Sequence, residues 1–208
     1  LRKAGVDLER VNIVRDEPEV IAEDIQEMSK RYDVVFTSGG VGSTHDDVTM
    51  SSIANGLGVE LVQHPVLHRM LTKHYGDRIN RAVLQMANVP EGAELIGLDE
   101  LRFPLVRVQN VYIFPGVPKF LRTKFDFALK LLAGVPLVLE TLYVKVGEDQ
   151  IAEILAEVDR EMPDVEIGSY PQFDLDAYRV KITVESRDPL RLAEALTKIK
   201  DGMSPDWI

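Results

Sequence analysis

Apolar positions along the chain recur with two spacings, and the changes between them predict the elements. Val11–Val14 is a short strand candidate. Asp16-Glu17-Pro18-Glu19 opens a helix to about Lys30, with acids in its first turn and bases in its last, as the helix dipole favours. Asp33–Thr37 is a continuous apolar run that reads as a buried strand. The next helix starts near Asp47–Thr49 and ends near Gly56–Gly58. Val59–Val62 reads as a short strand. Pro65–Tyr75 has helical spacing, with Val66, Met70 and Leu71 apolar, and Asp77–Met86 reads as another helix. Asn88-Val89-Pro90-Glu91-Gly92-Ala93 is a turn. Val106–Phe114 alternates and then becomes a buried strand, which Pro115-Gly116-Val117-Pro118 breaks. A helix follows to about Leu132. Strands separated by helices predict an α/β domain with a largely parallel sheet.

The pattern switches after Gly134-Val135-Pro136. Leu139–Val146, Glu166–Tyr170 and Tyr178–Ser186 read as strands, and Asp149–Glu161 and Pro189–Lys200 as helices. The order β-α-β-β-α predicts a small α+β unit of ferredoxin-like type. We therefore expect two domains, residues 1–136 and 137–208. The chain opens on Leu1-Arg2-Lys3-Ala4-Gly5-Val6, which reads as the tail of a helix ending at Gly5 and followed by a strand. That opening suggests a preceding segment.

Composition narrows the function classes. The chain has 208 residues, of which 45% are hydrophobic, enough for a substantial core. Its 24 basic and 34 acidic side chains give a net charge of −10. That balance lacks the basic footprint of a nucleic-acid binder and the polybasic patch of a membrane-surface protein. The absence of cysteine excludes disulfides, thiolate catalysis and cysteine-held metals, and it fits a cytoplasmic protein. No apolar run has the length of a membrane span.

The chemistry concentrates between residues 34 and 49. The run Val34-Val35-Phe36 leads into Thr37-Ser38-Gly39-Gly40-Val41-Gly42-Ser43-Thr44-His45-Asp46-Asp47-Val48-Thr49. Glycines let the backbone turn tightly and bring its N–H groups close to a ligand. A helix starting just beyond would aim its N-terminal amides at the same point, which suits an anion. The loop carries two carboxylates and no lysine. A phosphate beside two carboxylates needs a cation between them, and Mg²⁺ commonly binds one or two carboxylates together with substrate phosphates. The glycine spacing matches neither a Walker A loop nor a dinucleotide fingerprint. The competing reading is an ordinary strand-to-helix turn in which Asp47 or Thr49 caps the helix.

This segment resembles the G-G-x-G-P-T-x-D-D-x-T signature of the molybdopterin-binding-like superfamily. That superfamily includes the molybdenum-cofactor proteins MoaB and MogA, the N-terminal domain of CinA-type proteins and a domain of FAD synthases. Phe103-Pro104-Leu105-Val106, Asn110-Val111-Tyr112-Ile113-Phe114-Pro115-Gly116-Val117-Pro118 and Gly168-Ser169-Tyr170-Pro171 look most like the FAD synthase branch. The resemblance implies a three-layer α/β/α domain with its pocket at the glycine loop, followed by the small α+β domain. It implies either divalent-metal hydrolysis of a dinucleotide pyrophosphate such as FAD or ADP-ribose, or pterin-phosphate binding and adenylyl transfer. Asp47 and Asp46 match the acids of the family loop, and Asp16 a further functional aspartate. Ser43 replaces the usual proline, His45 occupies a variable position, and an N-terminal G-D-E/T-L-x-G segment that lines the pocket in relatives does not occur.

The site so expected has Asp46, Asp47 and Asp16 as catalytic groups, with Asp46 and Asp47 holding Mg²⁺ or a similar divalent cation. Thr37, Ser38, Gly39, Gly40, Gly42, Ser43 and Thr44, with Pro115 and Gly116, would bind the phosphates. The preferred activity is a metal-dependent nucleotide pyrophosphatase. The alternatives are a molybdenum-cofactor role and a regulatory domain that binds a nucleotide without catalysis. Asp16 reads equally well as a helix cap. His45 is an acid–base candidate or a solvent-facing loop residue. His64, His68 and His74 lack a nearby acid, and a metal cluster there is not expected. Arg69, Lys73, Arg78 and Arg81 read as a solvated helix face. The expected partners are a small-molecule nucleotide or pterin phosphate and further copies of the chain in a homo-oligomer, with neither nucleic acid nor membrane.

Overall fold

A computed structural model describes residues 1–173 and 177–208. Contacts divide it into two units: Arg10–Ala128, and Leu1–Glu9 together with Leu129–Ile208.

In the first unit, α1 (Pro18–Arg31) leads to β1 (Val35–Ser38), and α2 (Thr49–Leu57) follows the glycine loop. Then come β2 (Leu61–Gln63), α3 (Pro65–Tyr75), the short α4 (Arg81–Gln85), β3 (Asn88–Pro90), β4 (Glu94–Ile96), β5 (Leu105–Val108), β6 (Val111–Phe114) and α5 (Pro118–Leu132). The main sheet has the order β1-β6-β5-β4, and β2 pairs with β3 separately. Strand alternation sends neighbouring side chains to opposite faces. Val35 joins Ile21, Ile25 and Ile53 of α1 and α2 in one core. Phe36 turns the other way, where its ring meets Phe125 of α5 at 5.6 Å. Helices thus cover both faces, which makes the three-layer α/β/α arrangement.

The sheet is mixed rather than largely parallel. Only β1 and β6 run parallel, whereas β6-β5 and β5-β4 are antiparallel. The expected single strand over Val106–Phe114 is a hairpin. Its turn lacks glycine, and Gln109 takes the left-handed φ of 52° instead. Asn110 holds that turn in place, because its amide donates to the carbonyls of Ser29 and Tyr32 at the end of α1, at 2.9 and 2.7 Å. Residues 88–90 form a strand where a turn was expected, because Leu61–Gln63 pairs with them. The expected helix over 77–86 shortens to a single turn at Gly76–Arg78 and α4, which Asn80 caps by accepting from the Val83 amide at 2.9 Å. Val11–Val14 is not a strand. It pairs with nothing among the described residues, and Val11, Ile13 and Val14 are exposed.

The second unit contains β7 (Val138–Val144), α6 (Glu148–Glu161), β8 (Glu166–Pro171), β9 (Val180–Ser186) and α7 (Pro189–Asp201). The antiparallel order β7-β9-β8 places the last strand in the middle. Its core joins Val144, Ile182 and Val184 of the sheet to Ile151, Leu155, Ala195 and Ile199 of the helices. Residues 2–4 form a short 3-10 turn ended by Gly5 at a φ of 72°, but no strand follows. By their contacts these first residues group with the second unit. Arg2 pairs with Glu166 and Glu185, the Gly134 amide donates to the Ala4 carbonyl at 2.9 Å, and Arg187 reaches the Gly5 carbonyl and Asp7.

Candidate functional site

The parallel pairing of β1 with β6 places the carboxyl ends of two strands side by side. Ser38 lies opposite Phe114, and the Gly39 amide donates to the Phe114 carbonyl at 3.1 Å. The glycine loop and Pro115-Gly116 therefore leave the sheet together. A Cβ on Gly116 would stand 3.2 Å from the Gly39 Cα, so these two loops touch backbone to backbone. Ligands of open α/β sheets bind beyond such carboxyl ends.

Within the loop, Gly40 has a φ of 60°, and a Cβ there would stand 2.3 Å from the Thr49 hydroxyl. The Thr49 amide donates to the Gly40 carbonyl at 3.0 Å, which fastens the loop to the start of α2. The next amides of α2, at Met50 and Ser51, are first-turn donors without an intrahelical acceptor. The Thr37 hydroxyl is buried and has no hydrogen-bond partner. Such a group costs free energy unless something completes it.

Asp47 does not cap α2. Val48 occupies the cap position and offers no side-chain bond. The Asp47 carboxylate instead accepts from the Thr44 amide at 2.9 Å and from the Thr44 hydroxyl. Partial burial pushes this carboxyl up, but those donors outweigh it and hold the group below the usual aspartate range. A Cβ at Gly42 would stand 2.5 Å from the Asp47 oxygen, so a side chain there would displace that carboxylate. Asp46 is exposed, as is His45.

Part of the expected phosphate cradle makes bonds within the protein. The Gly39 amide serves Phe114, and the Thr44 amide and hydroxyl serve Asp47. The Gly40 amide, the Thr37, Ser38 and Ser43 hydroxyls and the first turn of α2 remain to meet an anion. Asp16 is exposed. Glu17, not Asp16, occupies the cap position of α1, again without a side-chain bond, so Asp16 is not a cap. Among the described residues no group of three or more His, Asp or Glu side chains could hold a metal by itself. His64 caps α3, accepting from the Val66 amide at 3.2 Å. Sequence reading missed Lys124, half-buried on α5, whose ammonium donates to the Pro104 carbonyl at 2.7 Å. Burial lowers its pKa to about 8.

No helix among the described residues is long and apolar enough to cross a membrane. Two family models divide the chain: "Probable molybdopterin binding domain" matches residues 1–134, and "FAD synthase, middle domain" matches residues 136–208. A protein of Archaeoglobus fulgidus is 32% identical over 97% of this chain and 85% of its own length. A "Probable FAD synthase" of Caenorhabditis elegans is 27% identical over 97% of this chain, which spans only 44% of that relative. The crystal structure of the protein CinA with unknown function, from Thermoplasma acidophilum, covers 57% of this chain and 74% of its own with 27% identity and a TM-score of 0.50. The chain belongs to the molybdopterin-binding domain family, in its CinA and FAD synthase-like branch, with the FAD synthase middle domain following it.

Proposed function

We propose that the first unit binds a nucleotide pyrophosphate of the FAD or ADP-ribose type and hydrolyses it with a divalent cation. The observation that carries this reading is the convergence at the ends of β1 and β6. A positive-φ glycine loop, the unpartnered Thr37 hydroxyl and the first turn of α2 meet there beside Asp46 and Asp47. The ion would be held by Asp46 and Asp47, and it would supply charge neutralisation of the phosphates and activation of water. The Gly40 amide and the Thr37, Ser38 and Ser43 hydroxyls would orient the phosphate oxygens and take charge that develops on them. Asp47 keeps the loop in shape by binding Thr44.

A second reading has its own support. The carboxylate of Asp47 is turned into its own loop, and the family model describes pterin binding. On that reading the site binds a pterin phosphate or a nucleotide without hydrolysing it. Incubation with FAD and ADP-ribose, with Mg²⁺ and then with EDTA, separates the two. Mg²⁺-dependent release of AMP supports hydrolysis, whereas binding without turnover supports the second reading. Thr37→Val tests the site under either. Removing an unpartnered buried hydroxyl leaves stability equal or higher, while phosphate-ligand binding weakens. Unchanged binding would remove Thr37 from the site.

A further inference from the structure

The second unit carries a groove that the nucleotide reading does not use. Glu148, Ala152, Leu155, Ala156 and Asp159 of α6 line it, together with Ile167 and Ser169 of β8. The α6 positions share one face because they recur at three and four residues. The groove holds about 340 Å³. Alanine at 152 and 156 leaves it deep, Leu155 and Ile167 make its walls apolar, and the Ser169 hydroxyl is buried in it without a partner.

β8 is an outermost strand, bonded only to β9. Its register shows which main-chain groups face outward. Pro171 lies opposite Val180 and has no N–H, so that pair must be a non-bonded one, and the bond runs from the Gln172 amide to the Arg179 carbonyl at 2.7 Å. Alternation then turns the N–H and C=O of Ile167 and Ser169, and the C=O of Pro171, away from β9. No backbone partner meets them among the described residues. The missing donor of Pro171 falls on this open side, where it costs the sheet nothing.

The ends of the groove are acidic. Glu148 and Asp159 are exposed, and neither makes an ion pair among the described residues. They stand about 16 Å apart along the helix at ~1.5 Å per residue. Five residues of an extended strand at ~3.3 Å per residue span about 13 Å, and long basic side chains at the two ends reach the rest.

We propose that this groove docks an extended segment of a partner protein as an added strand on β8. The segment carries an aliphatic side chain flanked, two residues away on each side, by Lys or Arg. Its alternate side chains enter the groove: the aliphatic one against Ala152, Leu155, Ala156 and Ile167, the basic ones beside Glu148 and Asp159. Its backbone completes the outward groups of Ile167 and Ser169, which is the strand-addition mode of peptide recognition. The chain's net charge of −10 favours encounter with a basic segment.

Fluorescence anisotropy of the full chain with labelled Thr-Lys-Thr-Val-Thr-Lys-Thr, and its Ile- and Leu-centred analogues, tests this. We expect saturable binding that weakens at least ~10-fold in one of two backbone N-methylated peptides, methylated at Val (antiparallel added strand) or at both threonines that flank it (parallel added strand), and by as much in A156W and in the E148K/D159K double variant. These three positions are exposed, so the variants should fold, which circular dichroism verifies. The amide resonances of Ile167 and Ser169 should shift on titration. Absence of saturable binding by all three peptides would overturn the proposal, and so would affinity unchanged by both N-methylations or by A156W.

Discussion

Replacing Asp47 with Asn separates the two roles its carboxylate holds in the proposed site. One is structural. Its oxygen accepts from the Thr44 amide and hydroxyl. Asparagine has the same shape, and its carbonyl oxygen can keep these bonds as neutral ones. Hydrogen bonds to a charged group are worth ~1.5–3 kcal/mol and neutral ones ~1 kcal/mol. The loop is half-exposed, so the loss should total about 1–2 kcal/mol. A domain with ~5–15 kcal/mol of stability survives that. The other role is chemical: removing the charge should lower pyrophosphatase turnover at least ~100-fold.

The pH dependence carries its own sign. Asp47 titrates lower in the folded protein than in the unfolded chain. Its stabilisation is therefore fully present above the unfolded value of about 3.9 and is lost as pH falls through the lower folded value. Asp47→Asn should melt earlier than the parent at neutral pH, and the gap should close in acid. Urea melts at neutral and acid pH, paired with AMP release from FAD under saturating Mg²⁺, make the measurement. A folded variant with full activity would refute the catalytic role and leave Asp47 as a brace. A variant that is inactive because it is unfolded would refute the estimate of the brace's weight.

Three further outcomes are expected. Lys124→Met should stabilise the protein at neutral pH, because the drop from 10.5 to about 8 corresponds to about 3 kcal/mol against ~1 kcal/mol for the lost bond to Pro104. Between about 8 and 10.5 the unfolded parent binds the extra proton, so the parent gains stability as pH rises through that window while the variant does not, as urea melts on both will show. Gly42→Ala should weaken nucleotide binding at least ~10-fold, since its Cβ would stand 2.5 Å from Asp47, and calorimetry on the folded variant checks this. Binding of ADP-ribose should need a divalent cation, because two like charges ~4 Å apart repel by ~4 kcal/mol at an effective dielectric of 20; equal affinity in EDTA and Mg²⁺ would remove the bridging ion.

The elements legible in the sequence are those whose signal is local. Pro18 and Pro65 open helices where proline fits the first turn, and Gly58 ends α2 with a φ of 70°. The glycine loop was legible because Gly40 and Gly42 leave no room for a side chain. What stayed hidden depends on a distant partner. Residues 88–90 become a strand only because Leu61–Gln63 lies beside them. Val11–Val14 has the composition of a strand and no neighbour to pair with among the described residues. The hairpin at Gln109-Asn110 lacks a glycine, and Asn110 is fixed by carbonyls some eighty residues away, at Ser29 and Tyr32. Residues 1–9 join the second unit through Arg2 and Arg187, ion pairs that no periodicity reports.

The paired carboxylates show the same division. In the sequence Asp46 and Asp47 are adjacent and equivalent, and together they raise the cost of placing a phosphate nearby. In the structure they are unequal. Two donors of Thr44 already compensate Asp47, and its charge is partly spent on the loop that it shapes. Asp46 is exposed and free to meet an ion. The requirement for a cation should therefore lie mainly with Asp46, and the integrity of the loop with Asp47. Asp46→Asn should then weaken Mg²⁺ dependence while leaving the urea midpoint unchanged, the inverse of the Asp47 variant in stability. Should both substitutions shift the midpoint equally, this division of labour is wrong, and the two acids act as one electrostatic unit.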